Sequence, residues 1–216
     1  MLRCWLYIVC IKKYNNCFLK KTKTLNVLKN ITYVMIFNTT SMKIMQYFFD
    51  NPYEQIHLRG LSRKTRTSIY STKTIVDDLV KQDILIENRQ GNQRSIRPNM
   101  DNRFFLQLKI AFSIKRIQDS NLINFLEDKI PAISSITLYG STAEGKDDNK
   151  SDIDLLIIGQ KIKADISTYE KKINKEIKLL IMKWSEWRTH ASQDKPFYRE
   201  IVKNGIALYG DIPVIE

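Results

Sequence analysis

The sequence predicts an α/β (α+β) fold, in which a mixed sheet flanked by helices follows a smaller domain of three helices and a hairpin. Two apolar strands frame a polar turn in the C-terminal half, at residues 136–139 and 153–158. Upstream, apolar residues recur at helical spacing ahead of a hairpin with Gly91 at its tip. With 216 residues, 43% of them hydrophobic, the chain is long enough to bury two small cores.

Charge and composition divide the chain into four expected segments. Residues 1–34 carry seven Lys and Arg and no acid, and we expect a basic extension that is either disordered or upstream of the natural start. Residues 35–100 form the small helical domain, 101–131 connecting helices, and 132–216 the sheet domain. Since 132–216 carry no net charge, the overall +12 lies upstream and suggests a polyanionic partner for the N-terminal half.

The cysteines predict neither a disulfide framework nor a zinc site. They are odd in number, lie at positions 4, 10 and 17, and lack the spacing of a metal-binding knuckle. A reducing compartment, the cytoplasm, is therefore the expected location. The apolar run at 4–11 has eight residues and is too short to span a membrane, so no membrane association is expected.

Candidate ligand-binding residues lie at the ends of the two C-terminal strands. Asp152 and Asp154 open the second strand two positions apart, so their side chains point to the same face and can converge on one cation. Gly140 and Ser141 follow the first strand. A turn there without a Cβ leaves backbone N–H groups free for a phosphate.

Gly140-Ser141, nine intervening residues, then Ser151-Asp152-Ile153-Asp154 resembles the signature of the minimal DNA polymerase β-like nucleotidyltransferases. The resemblance implies that Gly140 and Ser141 hold the phosphates of an NTP and that the two aspartates hold Mg²⁺. Ser151 is included in the nucleotide site, where it orients the acids or caps the turn. The implied reaction is transfer of a nucleotidyl group to a protein or nucleic-acid acceptor.

A third catalytic acid is not clearly present. Active members of this superfamily usually carry it on the next strand, where the alternating pattern places Lys178. Glu176 lies two residues earlier on the same face and is the candidate substitute. Three interpretations remain open: an active enzyme that uses Glu176, a weak enzyme, or a nucleotide-binding domain without transfer. We lean towards an enzyme.

Residues 41–99 resemble a winged helix-turn-helix, in which the third helix enters the DNA major groove and the hairpin contacts phosphates. DNA binding is preferred to a role in packing or dimerisation alone. In the alternative function, the chain is a DNA-binding transcriptional regulator whose second domain senses a nucleotide or forms a homodimer. The candidate DNA contacts are Arg66, Ser71, Thr72, Lys73, Arg89 and Arg94.

Helix boundaries follow from the capping residues. Asp101 is predicted to cap a long helix over 103–119 that packs between the two halves, followed by a helix over 121–129. Ser185 is predicted to cap a helix that begins at Glu186. Gly205 is predicted to end the helix at 196–204 from the C′ position. The stretches 184–187 and 197–210 also resemble the C-termini of family members that carry an N-terminal winged helix.

Overall fold

The structure is a computed structural model that describes residues 39–91 and 93–215. The predicted basic extension at 1–34 lies outside these residues. The chain divides into two compact units, residues 1–42 and 43–216. Of the first unit, only residues 39–42 are described, and they form the first turn of a helix.

Residues 39–91 and 93–100 contain three helices and a three-stranded antiparallel sheet. The elements are α1 (Thr39–Asp50), β1 (Ile56–His57), α2 (Leu58–Thr65), α3 (Ile69–Lys81), β2 (Leu85–Gln90) and β3 (Gln93–Pro98). Strand β3 lies between β1 and β2. The three predicted helices and the hairpin are confirmed, whereas the short strand β1 was not predicted.

Local interactions define the corner between α2 and α3. Helix α2 ends at Arg66, whose φ of 53° reverses the chain direction. Ser68 caps α3, since its hydroxyl accepts a hydrogen bond from the Ser71 N–H at 3.0 Å. Apolar residues from the helices and the hairpin then fill a common core, which includes Met45, Phe48, Leu61, Val76, Leu79, Leu85 and Ile96.

Two helices, α4 (Arg103–Ser120) and α5 (Leu122–Lys129), connect this region to the C-terminal sheet. The cap prediction was wrong by one residue, because the side chain of Asn102, not Asp101, accepts from the Phe105 N–H. The ring of Phe49 on α1 packs against Phe105 and Phe112 of α4, with centroids 5.4 and 5.3 Å apart. Helix α4 therefore packs on α1.

The C-terminal region contains the predicted mixed sheet, with strand order β6-β5-β4-β7. Strand β5 pairs parallel with β6 and antiparallel with β4, which also pairs antiparallel with β7. Ile153 and residues 155–158 are buried, so β5 is covered on both faces. The strands are β4 (Ser135–Tyr139), β5 (Ile153–Ile158), β6 (Ile177–Met182) and β7 (Ile206–Gly210).

Four helices belong to this region: α6 (Gly140–Ala143), α7 (Ser167–Ile173), α8 (Trp184–Gln193) and α9 (Lys195–Asn204). The prediction for α8 was wrong, since Lys183 is the N-cap and Ser185 lies within the helix. Gly205 follows α9, but its φ of −65° is not left-handed. A Cβ there would lie 2.3 Å from the Ile201 carbonyl oxygen, so close approach requires the glycine.

None of the helices in residues 39–91 and 93–215 combines the length and apolar character that a membrane crossing needs.

Candidate nucleotide and metal site

The candidate site forms where β4 ends and β5 begins. Tyr139, the last residue of β4, pairs with Asp154 in the antiparallel register. The next residue along the chain, Gly140, therefore comes directly beside the Asp154 carboxylate. Thr142 of α6 donates a hydrogen bond to the Asp152 carbonyl oxygen at 3.2 Å, which ties the turn to the start of β5. The predicted turn and the two acids are thus brought together.

Gly140 is required by both backbone conformation and space. Its φ of +69° lies in the left-handed region, which disfavours residues with a Cβ. A Cβ at this position would lie 2.8 Å from Oδ2 of Asp154, closer than such atoms approach in proteins. The glycine therefore allows the turn to lie against the carboxylate.

The two aspartates form a pair of like charges in a partly desolvated position. Burial raises the pKa of Asp154, and the neighbouring Asp152 raises it further. Lys178 acts in the opposite direction, but the resulting pKa remains above the ordinary value. A cation bound to both carboxylates would relieve this cost, so the pair fits Mg²⁺, which takes one or two carboxylates together with phosphate oxygens.

Lys178 occupies the neighbouring position on β6. The parallel register aligns Asp154 with Lys178, and the Lys178 ammonium forms an ion pair with the Asp152 carboxylate. This hydrogen bond and the charge of Asp152 raise the pKa of Lys178. The lysine side chain is 58% exposed, so its end is accessible to solvent. The site therefore already contains one positive charge, supplied by the protein.

Glu176 lies immediately before β6 and is exposed. Its carbonyl oxygen accepts from the Ile153 N–H at 2.9 Å, which places its backbone beside the start of β5. Within residues 39–91 and 93–215, however, no three His, Cys, Asp or Glu side chains form a group that could hold a metal. The structure brings together two acids and not the third, and a catalytic role for Glu176 stays a prediction.

Ser151 interacts with the loop that precedes the aspartates. Its hydroxyl donates to Oδ1 of Asp148 at 2.8 Å, and the same carboxylate accepts from the Ser151 N–H at 2.9 Å. These hydrogen bonds lower the pKa of Asp148, with the serine hydroxyl the largest cause. Ser151 therefore caps this turn. Ser141 is half-buried, and its carbonyl oxygen accepts from the Lys146 N–H at 2.9 Å.

Tyr139 adds no charge beside the aspartates. Burial, followed by the charge of Asp154, raises the pKa of its phenol to about 12. The phenol is consequently neutral at physiological pH, and its ring packs edge-on against Phe197 with centroids 5.4 Å apart.

A buried ion cluster next to the site was missed by sequence reasoning. Asp147, in the loop between the two motifs, pairs with Lys109 of α4 and with Lys175, the latter at 2.5 Å. All three side chains are at most 6% exposed. The available signal was a lysine between Leu108 and Ile110 in an otherwise apolar stretch of α4.

The predicted DNA contacts divide into exposed and buried residues. Arg66 and Lys73 are exposed, and Ser71 is half-buried in the first turn of α3. Arg89 is 73% exposed and pairs with Glu87. Thr72 is fully buried, and its hydroxyl is hydrogen-bonded to Thr67 and to the Ser68 carbonyl. Thr72 cannot reach DNA in this conformation, so its prediction as a base contact was wrong.

Arg94 does not present a free guanidinium to a phosphate. Its side chain is only 15% exposed, and Nη2 pairs with Asp77 of α3 at 2.5 Å and with Glu87 of β2 at 2.8 Å. The prediction for Arg94 is corrected accordingly, because these two carboxylates neutralise it and hold β3 against α3. The first turn of α3 instead exposes Ile69 and Tyr70, at 47% and 80%.

Comparison with solved structures gives only distant likenesses. A toxin–antitoxin crystal structure with AMP-PNP is 22% identical, with 42% of this chain and 72% of that chain covered and a TM-score of 0.32. A mutant of the toxin–antitoxin MntA-HpeT is also 22% identical, covering 43% and 72%, with a TM-score of 0.31. TrmBL2, an archaeal chromatin protein, is 13% identical over 74% and 72%, with a TM-score of 0.26. These scores support no functional conclusion.

Sequence comparisons identify the C-terminal region. No curated protein matches the chain significantly. The family model described as polymerase beta, nucleotidyltransferase, matches residues 120–211. This range contains the Gly140 turn, both aspartates and all four strands of the mixed sheet. Residues 120–211 are thus similar in sequence to the polymerase beta nucleotidyltransferase domain.

Proposed function

We propose that this protein is a nucleotidyltransferase that binds an NTP with Mg²⁺ and transfers its nucleotidyl group to a protein or nucleic-acid acceptor. The observation that carries the proposal is that the Asp154 carboxylate lies against Gly140 and close enough to Asp152 to feel its charge, within the range matched by the family model. The Asp154 carboxylate would be costly in a merely structural position, since burial disfavours its ionised form.

Each site residue has a distinct part in this proposal. Asp152 and Asp154 would hold Mg²⁺, which would neutralise charge on the bound phosphates. The backbone N–H groups at Gly140 and Ser141 would orient the triphosphate, and Ser151 would hold the preceding loop in place through Asp148. The chemistry requires positioning above all, because phosphoryl transfer depends on alignment and charge stabilisation.

The proposed transfer exchanges one phosphorus–oxygen bond for another. The acceptor hydroxyl oxygen bonds to the α-phosphorus, the bond from this phosphorus to the bridging oxygen breaks, and pyrophosphate leaves. The hydroxyl proton passes to a base. Glu176 is the candidate, since it precedes β6 at the same end of the sheet as Asp152.

A labelled-transfer assay tests the proposed reaction. The protein is incubated with each α-labelled NTP, Mg²⁺ and cell extract, beside an Asp152→Ala/Asp154→Ala double variant. We expect label on a protein or nucleic-acid band only with the wild-type protein. Absence of transfer with all four NTPs would contradict transferase activity, and equal transfer by the double variant would contradict the assigned site.

The second candidate is a DNA-binding regulator in which residues 35–100 form a winged helix and the C-terminal domain senses a nucleotide or dimerises. Two observations favour it. Lys178 stands where the resemblance places an acid that would hold a second metal. Arg66, at the end of α2, and Lys73 of α3 are both exposed. Exposed cations of this kind would bind phosphates in a salt-dependent manner.

DNA binding is tested by comparing Lys73→Ala with Arg94→Ala. Lys73→Ala should weaken a gel shift on genomic fragments and reduce its salt dependence, with an unchanged melting temperature, because this side chain is exposed. Arg94→Ala should lower the melting temperature, since it leaves Asp77 and Glu87 without their partner. A gel shift that is absent, or insensitive to salt, would refute DNA binding by this surface.

A further inference from the structure

Lys178 lies in the candidate site, but no step of the proposed nucleotidyl transfer uses its charge. It aligns with Asp154 across the parallel strand pair, and its ammonium contacts the carboxylate of Asp152. A lysine at the edge of an exposed surface needs no partner, because water solvates it fully. The contact places its charge on Asp152, within electrostatic reach of Asp154.

The ion pair makes Lys178 a competitor of a divalent cation for Asp152. An ammonium on this carboxylate lowers the negative charge available to the cation and occupies one of its oxygens. Without a nucleotide, binding of a cation must displace the lysine. Lys178 consequently weakens the affinity of the two aspartates for a metal ion alone.

A nucleotide reverses this effect, since it brings its own negative charge. A bound triphosphate supplies several anionic oxygens beside the aspartates, and these compete with Asp152 for the ammonium. The Lys178 side chain is 58% exposed and has a flexible four-carbon stem, so it can leave Asp152 without unfolding any element. The position that an acid would use for a second metal would then contain a positive charge supplied by the protein.

We propose that Lys178 is a ligand of the NTP phosphates, and that it moves from Asp152 to the triphosphate when the nucleotide and its cation bind. This inference rests on the proposed nucleotide binding, and it assigns the NTP phosphates to Lys178 as their protein partner. Lys178 thereby contributes one positive charge at the phosphates, and we expect a single divalent cation per bound nucleotide.

Two calorimetric titrations of the Lys178→Met variant test the proposal, one with Mn²⁺ alone and one with an NTP. The substitution should change the two affinities in opposite directions. Affinity for Mn²⁺ alone should rise by roughly three-fold or more, since the competing ammonium is gone. Affinity for an NTP at saturating Mg²⁺ should fall by roughly 10–100-fold, the usual effect of losing one hydrogen bond to a charged group. A nucleoside monophosphate, which has fewer phosphates to contact, should lose less.

Lys163→Met is the matched control, because Lys163 is an exposed lysine of the same domain, in the segment between β5 and α7. It should leave both affinities unchanged. Lys178→Arg retains the positive charge and should bind NTP within a few-fold of wild type. Circular dichroism and a thermal melt check that the variants fold, and Lys178→Gln replaces Lys178→Met if the latter does not.

The outcomes separate this inference from the function on which it rests. If the wild-type protein binds no NTP, both are refuted. If the wild-type protein binds NTP and Lys178→Met binds it equally well, the role of Lys178 is refuted and nucleotide binding stands. A loss of NTP affinity together with a loss of Mn²⁺ affinity would indicate a general disturbance of the site and would also overturn the assignment.

Discussion

The carboxyl group of Asp154 is half-buried beside a second carboxylate, and both surroundings favour its protonated form. Its pKa is raised by burial and then by Asp152, despite the opposing effect of Lys178. Asp148, six residues earlier, has the opposite environment: a hydroxyl and two N–H groups donate to it and lower its pKa. The two residues therefore make opposite contributions to stability.

Asp154→Asn is expected to stabilise the metal-free protein at pH 7. A raised pKa means that the ionised group costs stability above that pKa, and that the cost disappears as the pH falls through it. Removing the charge should add between a few tenths and about 1 kcal/mol to the free energy of unfolding, after allowance for solvent screening. Urea denaturation in the presence of EDTA, at pH 7 and at pH 4, measures the difference in the free energy of unfolding between the variant and the wild type. The stabilisation should be smaller at pH 4.

Asp148→Asn is the control, because it should change the free energy of unfolding in the direction opposite to that of Asp154→Asn. The lowered pKa of Asp148 stabilises the fold above its unfolded value, and this contribution is lost as the pH falls through the folded value. The substitution should therefore destabilise the protein at pH 7. An Asp154→Asn variant no more stable than wild type would show that the two aspartates carry no electrostatic cost.

At the scale of elements, the unit β4–α6–β5 positions the site through Gly140. Gly140 and Gly91 both have left-handed backbone, with φ of +69° and +58°. They differ in what surrounds them. A Cβ at Gly140 would meet Oδ2 of Asp154 at 2.8 Å, whereas a Cβ at Gly91 would meet nothing within 4 Å. The comparison separates the backbone cost from the cost of the close approach.

Gly91→Ala should lose about 1 kcal/mol of stability, the usual cost of a left-handed residue with a Cβ. Gly140→Ala should lose at least about 1 kcal/mol more, because Asp154 must move away. It should also weaken binding of NTP with Mg²⁺, which Gly91→Ala should leave intact. Equal destabilisation in thermal melts, with nucleotide binding unchanged in both, would show that the Gly140 contact has no role.

The elements could be predicted from the sequence, whereas several side-chain environments could not. Alternation and apolar runs predicted the strands of the mixed sheet, because local pattern determines them. The burial of Thr72 was also predictable, since it precedes Ile75, Val76 and Leu79 by three, four and seven residues, which is the buried face of α3. Arg94 gave no local signal, because its partner Asp77 lies 17 residues away.

The site itself was predicted in part, for a related reason. Gly140, Asp152 and Asp154 lie at adjacent strand ends, so spacing along the chain was sufficient to place them together. The ion pair of Lys178 with Asp152 joins β6 to the start of β5, two strands that pair in parallel register. The partners of Asp147 come from α4 and from the residues before β6, and no local pattern joins those segments.

In the whole molecule, the buried cluster around Asp147 links α4 to the region of the mixed sheet. Lys109 comes from α4, Asp147 from the loop before Asp152, and Lys175 from the residues before β6. Arg116 of α4 adds a 2.8 Å ion pair with Asp50 of α1. The same helix thus contacts α1 on one side and the loop of the candidate site on another.

Asp147→Asn should destabilise the protein by about 3–5 kcal/mol, because it leaves two buried ammonium groups without a carboxylate. Lys109→Met should cost less. Burial lowers the pKa of Lys109, so its charge is already disfavoured there, and Lys175 still pairs with Asp147 in the variant. Urea denaturation measures the loss in the free energy of unfolding for each variant. A loss for Lys109→Met that equals or exceeds that for Asp147→Asn would contradict this explanation of the cluster.

Calorimetric titration of each NTP into the purified protein tests the claim that the paired aspartates bind an NTP together with Mg²⁺. Wild-type protein should bind at least one NTP in the presence of Mg²⁺, and binding should be lost with EDTA. The Asp152→Ala/Asp154→Ala variant, shown by its thermal melt to be folded, should not bind. Binding of equal affinity in that variant, or no binding of any NTP by the wild type, would contradict the claim.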